Sequence, residues 1–338
     1  MPRSNLTALL LLALAGPGAA QTAGTTAWTV AVGDYLLFGH TDYVSTFKLI
    51  PRIVYDTAPA LDSSRVVDSV RTAGAESHGL AAGLSAWPAD FYCDGVTTGA
   101  LQQIDPRAVL ERVQLAARCG VRLVLTPPRR NLTADGRPNG SFSVDSAKRV
   151  TDRFAAALPP DTLRKYRSTL LGLNLADDYT CTECWGGKPI TQVQIAAWAA
   201  YARTKLPDLP LGVRVTPDWV QAYPGLAPLL DYTWAQYHTK KGDAQAYYDQ
   251  AAEVAGALGL RVVMGVNVEN CYGVGTACSA ADLRRFGMLA VSHPAACAFL
   301  SWRYDAGTWA SDEIRGTWDE LFAIARARPA QDCRRVEV

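Results

Sequence analysis

The amino-acid sequence predicts an α/β protein: a closed (β/α)8 barrel of the TIM type, preceded by an N-terminal extension and carrying disulfide-stapled loops at its strand ends. Three observations lead there. From about residue 80 onward, short β-type runs alternate with helix-type runs, the pattern of a parallel sheet with helical crossovers. No glycine-rich phosphate-binding fingerprint follows the first of these strands, which weighs against an open doubly wound sheet. Polar residues gather at the C-terminal ends of the strand candidates, the end at which barrels carry their sites.

In chain order, residues 1–20 come first. One basic residue, Arg3, precedes an apolar core from Leu6 to Ala15 and the small residues Gly18, Ala19 and Ala20. This reads as a secretory signal peptide cut near Ala20; the alternative, an uncleaved anchor, meets an apolar run short for a bilayer. Residues 21–80 read as an extension. The strand candidates beyond it are 83–87, 122–126, 170–178, 211–216, 232–238, 261–269 and 297–305. Closure needs an eighth, so the extension is expected to contribute at least one strand, from DYLLFGH or PRIVYD. Residues 81–338 then form a single barrel domain. Its helices are legible between the strands: in DPRAVLERVQLAARCG, Asp105 is a cap, Pro106 takes the first helical position and Gly120 is the stop.

The 338 residues are 49% hydrophobic with a formal net charge of +1. That suits a packed globular chain and, without a basic block, points to neither nucleic acid nor an anionic membrane surface as partner. Past the leader no stretch of about 18 uncharged apolar residues occurs. Eight cysteines on an exported chain, secreted or periplasmic, read as disulfides. The short spacings of Cys181 to Cys184 and Cys271 to Cys278 suggest two local staples; a four-thiolate zinc site from the same residues is the sharper alternative.

Strand side chains alternate, with large aliphatic residues expected against the helices and the other face directed into the barrel. On that rule Leu171, Leu173 and Leu175 face the helices, while Asn174 and Asp178 face the mouth and Asp177 points outward or into a turn. Val213 and Val215 face out and Arg214 in. Val262, Met264, Val266 and Val268 face out, leaving Asn267 and Glu269 inward. Small Thr233 and Ala235 mark the inner face of the next strand and carry Tyr237 with them. In CAFLSWRYD either Trp302 and Tyr304, or Ser301, Arg303 and Asp305, face in. Each inward polar residue alone fits a structural hydrogen-bonding group; together at one end of a barrel they mark a site, because burying so many without ligand or water is costly.

Two carboxylates facing each other across a polar cleft are the equipment for glycosidic bond cleavage, one as general acid and the other as nucleophile or activator of water. Asp178 and Glu269 are the candidates. Asp177 would brace the following loop and raise the pKa of its neighbour, and the Cys181–Cys184 staple would stiffen the loop that brings Trp185 to the cleft. Trp87, Trp185, Trp219, Trp302 and Trp309 fall in or near strand-end loops, as sugar-stacking or as loop-packing aromatics. Metal chemistry finds no clustered ligands: His40, His78, His238 and His293 include no His-x-His pair. No Gly-x-Ser-x-Gly elbow is present, and paired cysteines supply no nucleophile. Neither metal nor cofactor is expected. Asn131 and Asn139 open glycosylation triplets that matter only in a eukaryotic host.

At this point the chain resembles the (β/α)8 glycoside hydrolases that carry their acid/base on strand four and their nucleophile on strand seven. The resemblance implies Asp178 as acid/base, Glu269 as nucleophile, Tyr237 as a residue orienting the nucleophile and Trp302 as a sugar platform. The chain departs from that pattern where Ala176-Asp177-Asp178 stands in place of Asn-Glu, a shorter acid in an altered setting. The expected ligand is a glycan or a small polar molecule. Two rival readings remain: a barrel that binds a glycan without cleaving it, and a structural protein with a solvated mouth.

Overall fold

Eight parallel strands close into a barrel in the computed structural model, which describes residues 27–32, 35–40, 49–51, 79–175 and 177–335. The strands are β1 (Ala81–Ser85), β2 (Gly99–Gln103), β3 (Arg122–Thr126), β4 (Leu170–Asn174), β5 (Leu211–Gly212), β6 (Tyr232–Tyr237), β7 (Arg261–Val266) and β8 (Ala296–Ser301). Each pairs with the next, and β8 closes on β1 from Ala298↔Ala81 to Ser301↔Leu84.

Closure takes nothing from the upstream segment, contrary to expectation. The eighth strand is β2, whose sequence GALQQ has no β-branched or aromatic residue to announce it. Ala27–Val32, Tyr35–His40 and Leu49–Pro51 instead form a three-stranded antiparallel sheet of their own, within a separate unit comprising residues 1–71. DYLLFGH thus holds a strand outside the barrel. The leader 1–20 and all of PRIVYD after its proline lie outside the described residues.

The main crossover helices are α1 (Val109–Arg118), α2 (Val144–Ala157), α3 (Gln192–Lys205), α4 (Ala244–Ala257), α5 (Ala280–Ser292) and α6 (Asp312–Ala327). Ser143, Thr191, Asp243, Ser279 and Ser311 accept backbone N–H bonds at the N-termini of α2 to α6, so each start carries a residue suited to the orphan donors. At α3 a reciprocal Thr191–Gln194 capping box forms. Asp105 does cap, but it caps the 3-10 turn Pro106–Ala108, from which α1 continues.

Two apolar layers hold the barrel. Outside, Leu173, Leu211, Val213, Val262, Met264 and Val266 pack with the helices. Inside, Leu101, Val124, Leu171, Tyr232, Trp234 and Val263 form a second cluster. Two expected faces are reversed. Leu171 lies inside because the β3–β4 pairing slips between Leu123 and Val124, aligning Leu123 with Leu170 but Val124 with Gly172; such a slip shifts the alternation. On β6 the aromatics Tyr232 and Trp234 are inside, and Ala235 and Tyr237 are outside. Glycines make the room: a Cβ on Gly212 would lie 2.1 Å from the Tyr232 ring, and one on Gly172 2.6 Å from it. Bulky residues fill barrel interiors, so smallness does not identify the inner face.

All eight cysteines are joined, as Cys93–Cys119, Cys181–Cys184, Cys271–Cys278 and Cys297–Cys333. No thiol is free, which removes the zinc alternative. The face opposite the mouth is tied down by long-range polar links. Arg122 at the start of β3 donates to Gly79 O and Gln331 O, its pKa lowered by burial to about 10. Asp231 before β6 accepts from Leu211 N, Arg203 and Arg335 N. Cys297–Cys333 closes a separation of 36 residues, so the double variant Cys297→Ala/Cys333→Ala should lose about 3–4 kcal/mol of unfolding free energy on the chain-entropy account. Urea denaturation measures it, and a loss under about 1 kcal/mol would show that the tail is held without the bridge.

Candidate functional site

At the C-terminal ends of the strands lies a cavity of about 170 Å³ lined by Gln103, Thr126, Arg129, Asn174, Leu175, Asp177, Trp185, Trp302 and Arg303, among others. It is smaller than the roughly 300–1,000 Å³ usual for sites of drug-sized ligands, a scale suited to a small polar group or one ring. Asn174, the last residue of β4, is 1% exposed. Its Oδ1 has no hydrogen-bond partner among the described residues.

β5 is only two residues long, yet Val213 and Val215 continue to pack outward. Arg214 between them is directed inward. Its Nε donates to Asp177 Oδ1 at 2.8 Å and its Nη2 lies 2.5 Å from Asp177 Oδ2, a fork-on-carboxylate geometry. The guanidinium carbon is 4.2 Å from the Trp302 ring centroid, within cation–π reach. The third nitrogen, Nη1, is buried and unpartnered among the described residues.

Asp178, expected to point into the mouth, gives that place to Asp177. Asp177 lines the cavity, whereas Asp178 sits at the rim, 43% exposed, with Oδ2 2.7 Å from Arg129 Nη2. The strand stops at Asn174, and Asp178 has a left-handed backbone with φ 51°. Alternation therefore does not carry through to residue 178. Asp177 Oδ1 also accepts the Asp178 N–H at 2.8 Å, so one acid does brace the other's turn. Burial pushes the Asp177 carboxyl above the ordinary aspartate range; Arg214 opposes the shift and the Asp178 charge adds to it.

Glu269, beyond β7, pairs with Arg303: Nε to Oε2 is 2.9 Å. Arg303 borders the cavity and Glu269 does not. The mouth thus holds three arginine–carboxylate pairs, Arg214–Asp177, Arg129–Asp178 and Arg303–Glu269. Asn267 spends its Oδ1 on the N–H of Asn270 and bridges to Trp302 through backbone. Tyr237 is not brought to the mouth. It packs against Phe286 of α5 at 4.7 Å between centroids, and its hydroxyl donates to Gly242 O, which follows from the reversed face of β6.

Of the five tryptophans in or near strand-end loops, Trp185 and Trp302 line the cavity. Trp185 is fixed by its Nε1 donating to Asp178 O and by Arg129 over its ring at 5.3 Å. The Cys181–Cys184 bridge closes the turn just before it. Trp87 and Trp309 pack on each other at 4.8 Å, and Trp219 on Tyr179 at 4.4 Å, both as loop-packing contacts. In the last segment Trp302 and Arg303 both reach the cavity. Gln103, Thr126 and Arg129 were missed. Gln103 escaped with the unrecognised β2, and the signal for Arg129 was the polar TPPRRN run straight after β3.

No family model matches the sequence, and no curated protein matches it. Among solved structures, the chain is similar to the crystal structure of a glucosidase from Croceicoccus marinus, with a TM-score of 0.53 and 12% identity over 73% of this chain and 68% of that one. It is also similar to SrfJ from Salmonella typhimurium, with a TM-score of 0.50 and 11% identity over 75% and 77%. At such identities the likeness is one of fold: the chain has a (β/α)8 barrel fold.

The Arg214–Asp177 pair yields a test. Arg214→Met would strand a largely buried carboxylate and should cost about 1–3 kcal/mol near pH 7. Removing the arginine raises the folded-state pKa of Asp177 further above its unfolded value. The folded state then binds more protons in that window, so stability falls as pH rises through it. The deficit should be greatest at neutral pH, shrink toward pH 4, and be largely relieved in Arg214→Met/Asp177→Asn. Melting temperatures from pH 4 to 8 check this, and a pH-independent deficit that the double variant keeps would contradict it.

Proposed function

We propose that this chain binds a glycan at the mouth of the barrel and cleaves a glycosidic bond there. The observation that carries the reading is unspent hydrogen-bonding capacity at the cavity: an unpartnered acceptor, Asn174 Oδ1, in its lining with the indoles of Trp185 and Trp302, and an unpartnered donor, Arg214 Nη1, on the arginine that holds the lining residue Asp177 and lies over Trp302. Sugar hydroxyls satisfy buried donors and acceptors while ring C–H groups pack on indole. The acid comes from the Asp177–Asp178 doublet and protonates the leaving oxygen; Glu269 attacks the anomeric carbon or activates water. A raised carboxyl pKa, as at Asp177, keeps the proton to higher pH and suits the acid. The leader-like 1–20 segment and four disulfides support an exported protein.

A specific observation favours the binding-only reading as second: all three mouth carboxylates are engaged by arginines. Turnover of aryl glycosides, beginning with glucosides, by the wild type and by Asp177→Asn, Asp178→Asn and Glu269→Gln separates the two. Cleavage predicts that Glu269→Gln and one of the aspartate variants lose about 100- to 10,000-fold in kcat, while a glycan-induced rise in Tm survives. No turnover with a retained Tm rise leaves binding alone. Neither turnover nor a Tm shift across an oligosaccharide panel sinks both.

A further inference from the structure

A second pocket, of about 520 Å³, lies on the outer side of the turn that follows β3. Arg129 at the head of that turn borders the mouth, but Arg130 next to it lines the outer pocket with Arg149 and Arg153 of α2. Residues four apart share a helix face, so two guanidiniums come from the helix and one from the loop. None of the three forms an ion pair among the described residues. Asp105 lies close enough to Arg153 for that charge to help lower its carboxyl, though its hydrogen bond with Arg107 contributes most.

The single carboxylate in the lining, Asp152, is occupied on its other side. It accepts from Tyr201 OH at 2.6 Å and lies 3.7 Å from Lys205, both on α3. The wall itself is braced: Arg149 Nη2 donates to Ser146 Oγ, which donates to Thr133 O, and Thr133 Oγ1 donates to the carbonyls of Arg130 and Arg137. Within this wall Asn131 Nδ2 is buried with no partner among the described residues. Three cations facing one occupied acid, a stranded donor and no aromatic in the lining describe a receptor for negative charge rather than for a sugar ring.

We propose that this pocket binds a tetrahedral oxyanion, sulfate or phosphate, free or as an ester on a larger molecule. Guanidiniums arriving from helix and loop reach different oxygens of a tetrahedral group, each through two parallel N–H bonds or one. The site is independent of the barrel mouth and of the cleavage reading.

The experiment is a titration of the full chain with sodium sulfate and with sodium phosphate, each against sodium chloride at matched ionic strength, read as Tm. Sulfate stabilises proteins generically at high concentration, so the comparison is with Arg149→Gln/Arg153→Gln and, separately, Arg130→Gln. The wild type should show a rise in Tm that saturates in the low millimolar range. The double variant should lose the saturable part, and Arg130→Gln should need about tenfold more anion. Far-UV circular dichroism confirms folding, and if the helix pair misfolds, the loop variant decides. Equal sulfate and phosphate dependence in the wild type and Arg130→Gln would overturn the site. Glucose 6-sulfate separates the sources: tighter binding than sulfate assigns the pocket to an ester, and equal or weaker binding to the free anion.

Discussion

The barrel closes because its interior is filled, and what fills it is the pairing of large β6 side chains with missing ones on the strands before it. Tyr232 and Trp234 occupy the inside with Leu101, Val124 and Leu171, and the Tyr232 ring stands where Gly172 and Gly212 have no Cβ. Gly265 on β7 shows the same constraint against backbone: a Cβ there would fall 1.9 Å from Leu300 O. A closed sheet has no edge to relieve misfit, so these contacts set how near the strands approach. They also set where the strand ends, and hence the mouth, can stand.

The two ends of the barrel use charge differently. Away from the mouth, both terminal nitrogens of Arg122 donate to backbone carbonyls, although its Nε is unpartnered among the described residues, and Asp231 accepts from two backbone N–H groups and from Arg203. The bridge to Cys333 anchors the tail. These are links that stabilise, in keeping with the role of that face in barrels. At the mouth, arginines instead hold carboxylates, and Asn174 Oδ1 and Arg214 Nη1 stay unpartnered among the described residues. Unspent buried hydrogen-bonding capacity is disfavoured in a core and useful in a site.

Much of this was legible in the sequence, and the failures share a cause. Alternation of strand and helix named the barrel, and polar residues at strand ends pointed to the end where the candidate cavity lies; Asn174, Trp185 and Trp302 line it and Arg214 lies over Trp302. The spacings of Cys181 to Cys184 and Cys271 to Cys278 identified two of four bridges, because loops that short leave few other partners. What escaped was whatever breaks the period of two. The slip beside Leu171, the reversed face of β6 and the turn at Asp178 each depend on a neighbouring strand or on one left-handed residue. β2 escaped because barrel closure, rather than local propensity, holds GALQQ extended.

The three arginine pairs at the mouth are unequal, and the inequality bears on the chemistry. Asp178–Arg129 and Glu269–Arg303 have side chains exposed by between 28 and 43%; pairs that open to water contribute about 0–1 kcal/mol. Arg214 is 9% exposed, on a carboxylate 28% exposed, and separating that pair leaves charge stranded in protein. The Arg129–Asp178 and Arg303–Glu269 pairs therefore separate at little cost, leaving Asp178 or Glu269 free, whereas Asp177 stays held by Arg214. In the cleavage proposed above, an acid at Asp177 would give up its proton with the arginine in place, and Arg214 would then stabilise the carboxylate that remains. If Asp178 is the acid, Arg129 must leave first, and Asp177 with Arg214 serves as the fixed wall against which the sugar is held.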